Sequence, residues 1–88
     1  MYKIELKPRA RKFIEARPKK IQKQLIERIE SLATDPHPSG SKLLHTKKKL
    51  YRIRSGSYRI IYQIQHDRLI IVVAAVAHRR DVYRRLDS

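Results

Sequence analysis

Nine consecutive residues near the end of the chain, Leu69-Ile70-Ile71-Val72-Val73-Ala74-Ala75-Val76-Ala77, are all apolar. A strand with one wet face would show a polar residue at every second position, and an amphipathic helix would show a polar stripe. This run shows neither, so whatever it forms must be covered on two faces. It falls well short of the ~20 residues that a helix needs to cross a bilayer. Its β-branched residues favour a strand. The sequence therefore predicts a central strand over 68–77, with neighbours on its edges and side chains packed above and below it.

The rest of the chain supplies those neighbours. Tyr2, Ile4 and Leu6 alternate with Lys3, Glu5 and Lys7, a period-2 strand with one apolar face. Pro8 suits the first turn of a helix, and Ala10, Phe13 and Ile14 give that helix one apolar side. Arg17-Pro18 breaks it. A second helix is predicted over 19–33, with Ile21, Leu25, Ile29, Leu32 and Ala33 as its stripe and Ile26 flanking. Residues 37–49 read as an irregular basic connection, pinned to the core by Leu43 and Leu44. Two further strands follow at 50–54 and 58–65, with a turn at Ser55-Gly56-Ser57, and His66-Asp67 turns into the apolar strand. The tail from Arg79 to Leu86 reads as a short C-terminal helix. The expected architecture is a single α+β domain over residues 1–88, in the order β-α-α-β-β-β-α. Its sheet is antiparallel and four-stranded, with an N-terminal helical hairpin packed on one face.

Charge narrows the function. Lys and Arg number 22 against 8 Asp and Glu, a net charge of +14. No acidic residue occurs from Pro36 to His66, a stretch that holds Lys42, Lys47, Lys48, Lys49, Arg52, Arg54 and Arg59. Self-repulsion of this size is relieved by a polyanion or an acidic partner, and nucleic acid is the default. A membrane is not expected as a partner, because no helix combines a basic face with a large aromatic one. There is no cysteine, which rules out disulfides and fits a reducing, cytoplasmic location. The histidines His37, His45, His66 and His78 lack a metal-ligand spacing, and neither paired carboxylates nor a glycine-rich phosphate loop is present. No metal and no cofactor are expected. A Ser57, His78 and Asp81 triad can be named, but no oxyanion hole accompanies it.

The stretch Leu50-Tyr-Arg-Ile-Arg-Ser-Gly-Ser-Tyr-Arg59 concentrates the charge on a hairpin. An even-numbered turn puts every tyrosine and isoleucine of the two strands on one face and the arginines on the other. With the turn at Ser55-Gly56, or a four-residue one, Ile53 faces Tyr58 and Arg52 faces Arg59. Like charges opposite one another are unfavourable, and a phosphate chain across the face reverses the sign. Arg79 follows the central strand, where it can join this cluster. Tyr83 lies one helical turn later, placed either to stack a base or take part in proton transfer, or to anchor the tail.

These features together resemble the RelE/ParE superfamily of toxins, and RelE in particular. The likeness spans nearly the whole chain and rests on Tyr58-Arg-Ile-Ile-Tyr62 and His78-Arg-Arg-Asp-Val-Tyr-Arg84. It implies a toxin of a type II toxin–antitoxin module, an mRNA interferase that enters the ribosome and cleaves message without a metal. It implies Arg59 and Arg79 as the arginines that stabilise the transition-state phosphate, and Tyr83 as the tyrosine that stacks on RNA or moves a proton. Arg52 and Arg54 stand where the family carries two lysines. Arginine keeps the charge but does not give up its proton, which leaves those positions an electrostatic role. Lys47, Lys48, Lys49, His78 and Arg80 are the expected RNA-binding residues. The implied partners are mRNA, the ribosome and a small, acidic, RelB-like antitoxin. ParE-like members, which inhibit DNA gyrase without cutting RNA, are the alternative; a nucleic-acid-binding module without activity is a third.

Overall fold

In the computed structural model, which describes residues 1–78, the apolar run becomes strand β5, Ile70–His78, and lies inside the sheet. The elements before it are β1 (Lys3–Leu6), α1 (Pro8–Glu15), α2 (Lys19–Ser31), β2 (Lys42–His45), β3 (Leu50–Ser55) and β4 (Tyr58–Gln65). The sheet order is β1-β5-β4-β3-β2. β5 therefore has a neighbour on each edge, as a strand apolar on both faces requires.

Two features differ from the sequence expectation. The sheet has five strands rather than four, and it is mixed rather than antiparallel, because β1 pairs with β5 in parallel from Lys3 opposite Ile70 to Leu6 opposite Val73. One cause explains both. β2 forms inside the segment read as an irregular connection, and three hairpin reversals then separate it from β5. Without β2 the chain makes one reversal fewer between its first strand and its last, and the two would run antiparallel. β2 was hard to see because it is four residues long, sits at the edge and breaks register between Leu43 and His45. Short, charged, irregular edge strands resist pairing with other chains, and the same traits erase the period-2 signal. The expected C-terminal helix falls outside the described residues.

The main core lies between the sheet and the helical hairpin. Ala10 and Ile14 of α1, with Leu25 and Ile29 of α2 and Leu32 just after it, pack on Ile53, Ile60, Tyr62, Ile64, Ile71, Val73 and Val76. Burying each large side chain contributes roughly 1.5–3 kcal/mol. A bulge between Ile61 and Tyr62, where the paired residues jump from Ala75 to Val73, shifts the alternation of β5. Val76, Val73 and Ile71 thereby all face the helices, which strict alternation would not allow. On the opposite face Leu50, Ile61, Ala75 and Ala77 form a second, smaller cluster with Leu44 and Ala74 packed against it. Leu43, expected to pin the connection, is instead 48% exposed; only Leu44 does so.

Candidate functional site

The arginine-bearing hairpin is built by β3, β4 and a two-residue turn, Gly56-Ser57, closed by the pairing of Ser55 with Tyr58. Gly56 has φ +59°, and nothing lies within 4 Å of the position a Cβ would take. Glycine is needed there for its backbone conformation, not for space. Glycine in the first central position suits the type II′ turn of tight hairpins.

This loop fixes which arginines meet. Ile53 pairs with Ile60 and Tyr51 with Tyr62, so the apolar residues face the helices as the alternation predicts. The pairing within that pattern differs from expectation by two residues. Arg54, not Arg52, stands opposite Arg59, and Arg52 stands opposite Ile61. The Cβ atoms of such a pair lie about 4.5–5.5 Å apart. Arg54 is exposed and Arg59 half-buried, with Nε and Nη1 of Arg59 out of contact with solvent. Between them, with Gly56 and Tyr58, lies a hollow of about 110 Å³, with room for an anion of phosphate size. Among the described residues no carboxylate lines it. Arg52, about 6–7 Å along the same face, is only 3% exposed, and its Nε has no hydrogen-bond partner among the described residues.

The remaining predicted residues fall into three groups. His78 ends β5 opposite Tyr58, and its ring meets Tyr58 edge-on at 5.9 Å. Tyr58 in turn meets Phe13 of α1 at 5.9 Å. His78 thus stands at the same end of the sheet as Arg59 but on the helix side. Arg79, Arg80 and Tyr83 lie outside the described residues. Lys47, Lys48 and Lys49 form the exposed turn between β2 and β3, where the Gln63 side-chain amide donates to the Lys48 carbonyl at 3.0 Å. That turn is at the far end of β3 from Gly56, six residues or about 20 Å away. The lysines and the arginine hollow therefore lie apart.

Two features escaped the sequence. Tyr58 lines the arginine hollow, though its place in the apolar alternation marks it as a core residue. Arg28, on the polar flank of α2, donates from Nε to the Arg54 carbonyl at 3.2 Å, a contact no periodicity announces. The histidines are also less scattered than their spacing implies. His37 and His66 stack at 6.3 Å, and the Tyr2 hydroxyl lies 3.0 Å from His66 Nδ1. Even so, among the described residues no three His, Asp or Glu side chains gather to hold a metal. No helix among them is long and apolar enough to cross a membrane. The arrangement can bind and stabilise a phosphate by fixed positive charge; its arginines cannot act as general bases.

Residues 4–83 match the family model described as the ParE toxin of type II toxin–antitoxin systems, parDE. The chain is 33% identical over 86 residues to an Escherichia coli protein named as a RelE-like toxin, spanning 93% of this chain and 90% of the relative. It is 28% identical over 85 residues to toxin RelG of Mycobacterium tuberculosis, spanning 96% and 98%. The archaeal RelE–RelB complex from Pyrococcus horikoshii contains a chain of the same fold, with a TM-score of 0.79 at 25% identity over 91% of this chain and 97% of that one.

Proposed function

Because this chain belongs to the RelE/ParE superfamily and is a toxin of a type II toxin–antitoxin system, we propose that it acts as a RelE-type endoribonuclease, cutting mRNA on the ribosome and so stopping translation. The observation that carries this reading is the cross-strand pair Arg54–Arg59 around an anion-sized hollow. Two guanidinium groups held together there suit a phosphate whose oxygens gain negative charge during the reaction.

In the proposed reaction the 2′-hydroxyl of one nucleotide attacks the adjacent phosphorus. The P–O5′ bond breaks, leaving a 2′,3′-cyclic phosphate and a free 5′-hydroxyl. Negative charge grows on the phosphoryl oxygens. Arg59, joined by Arg79, stabilises it, a contribution of about 10²–10³ in rate per donor. Arg52 and Arg54 hold the backbone. Tyr83 moves the proton or stacks on a base. Lys47, Lys48 and Lys49, about 20 Å from the hollow, bind ribosomal RNA, and His78 and Arg80 are further RNA-binding residues. The whole of 1–88 works as one toxin domain in the cytoplasm, held silent by a small, acidic, RelB-like antitoxin. The partner is inferred from chains of the same fold that crystallise as RelE–RelB and RelBE2 toxin–antitoxin complexes.

The test is cleavage of ribosome-bound message by Arg59→Ala, read by mapping mRNA ends. The rate should fall by about 10²–10³; an unchanged rate puts the chemistry elsewhere. The match to the ParE family model favours one alternative, inhibition of DNA gyrase without nuclease activity. That reading predicts broken DNA with intact message in the same cells.

A further inference from the structure

Beside the Arg54–Arg59 hollow, and sharing Arg54 as a wall, lies a second one of about 280 Å³, bounded by Arg28, Ser39, Gly40, Lys42, Arg52 and Arg54. We propose that it is a second phosphate subsite, which grips the RNA backbone phosphate next to the scissile one, with Arg28 and Lys42 as binding residues of the toxin. This rests on the nuclease reading above for the identity of the strand, and extends it to residues outside the arginine hairpin.

Three observations carry it. The first is charge: among the described residues four cations from α2, β2 and β3 line the hollow, and no acidic residue does. Arg52 faces Lys42 across β2–β3 just as Arg54 faces Arg59 across β3–β4. The sheet thus repeats a like-charged cross-strand pair one step along the same face, and the Arg52–Lys42 pair is unfavourable unless an anion sits by it.

The second is Arg52 itself. The residue is only 3% exposed, and its Nε is out of contact with solvent and has no hydrogen-bond partner among the described residues. A permanently charged group left so is costly, and a phosphate oxygen in the hollow it lines would satisfy it.

The third is the construction of the edge. β2 begins at Lys42, opposite Arg52, so it does not reach Arg54. The Arg54 carbonyl would face an open sheet edge. Arg28 Nε takes that bond at 3.2 Å, and this brings the Arg28 guanidinium to the hollow. Ser39 adds a hydroxyl donor to the lining. Arg52 and Arg54 lie about 6–7 Å apart along β3, a step suited to successive phosphates of an extended single strand.

The experiment uses the full chain freed of antitoxin and a fluorescent 2′-O-methyl RNA oligonucleotide, which cannot be cut by 2′-hydroxyl attack. Affinity is measured across a salt series. Losing one phosphate contact on a single strand flattens the slope of log affinity against log salt by about 0.7. Arg28→Gln/Lys42→Ala should show that change and about tenfold weaker binding at low salt. Because Arg28→Gln also frees the Arg54 carbonyl, Lys42→Ala alone, at an exposed position, is the second variant and should weaken binding several-fold. Lys23→Ala, an exposed lysine elsewhere on α2, controls for net charge. An unchanged slope and affinity in both variants, or an equal loss in Lys23→Ala, overturns the subsite. If the variants behave as expected while the wild type leaves ribosome-bound message intact, the subsite stands and the nuclease reading falls.

Discussion

Tyr62 and Arg59 stand three residues apart on β4 and face opposite sides of the sheet, and their surroundings give two polar side chains unlike roles. Tyr62 is fully buried, and its hydroxyl donates to the Pro36 carbonyl at 2.8 Å, tying the connection after α2 to the sheet. Burial pushes its ionisation above the ordinary value of 10.0, so it stays a neutral donor and takes no part in proton transfer. Its pH signature follows from linkage. The folded state holds this proton more tightly than the unfolded state. The stabilisation is therefore complete below pH 10 and is lost as pH climbs past it toward the folded value. Tyr62→Phe should cost about 1 kcal/mol at neutral pH, the worth of one hydrogen bond. Denaturant melts of both proteins check it: the advantage of the wild type should shrink above pH 10, and a constant gap across that range contradicts the assignment. Placement of such residues was partly legible in the sequence. The alternation Tyr51-Arg52-Ile53-Arg54 and Tyr58-Arg59-Ile60-Ile61-Tyr62 shows which side chains go inward. It does not show which arginines face each other, because shifting a hairpin by two residues preserves every face. The pattern settles parity; the choice of Gly56-Ser57 as the loop settles the partner, and Arg54 meets Arg59 for that reason.

At the scale of elements, the two hollows depend on how β3 ends. The tight turn at Gly56 brings Arg54 and Arg59 opposite one another, and the late start of β2 leaves room for Arg28 and Lys42. Gly56→Ala tests the first dependence. Alanine at φ +59° costs about 1–2 kcal/mol, and the chain can relieve this by moving the turn and slipping β3 two residues against β4. That would restore the pairing of Arg52 with Arg59 and separate Arg54 from Arg59. The expected result is a lower melting temperature together with a drop in mRNA cleavage larger than the stability loss explains. Cross-strand contacts measured by NMR between residues 54 and 59 should weaken in parallel. Activity that simply tracks the folded fraction, with those contacts intact, would show that the turn matters only for stability. The elements themselves were unevenly visible. β5 announced itself by unbroken apolarity, and α2 by a stripe running from Ile21 to Leu32. β2 was hidden because Lys42-Leu43-Leu44-His45 alternates nothing: Leu43 lies open to solvent while Leu44 packs on the cluster around Ile61. A bulged edge strand leaves no periodic trace, and with it went the parallel pairing of β1.

The molecule as a whole carries +14, and no acidic residue occurs from Pro36 to His66, the stretch that holds Arg52, Arg54 and Arg59. Most of the fold's stability comes from the apolar layer between the sheet and the helical hairpin, which salt affects little. The unfavourable part is repulsion among cations on the opposite face and along its edge, and that part is screened within a Debye length of ~10 Å at 0.1 M salt. Raising salt from ~0.05 to ~0.5 M should therefore raise the melting temperature. Single-stranded RNA should do so at far lower concentration, by binding the folded state in preference to the unfolded one. Free phosphate at the same total phosphorus should do much less. A strand that fills one hollow presents its next phosphate to the other at high effective concentration, and independent ions lack that link. Differential scanning fluorimetry of the free toxin with chloride, phosphate and 2′-O-methyl RNA separates these cases. Equal shifts from phosphate and RNA would mean two unconnected anion sites. No shift from chloride would mean that the charges already lie far enough apart in the fold to ignore one another, and the pressure toward a polyanionic ligand would vanish with it.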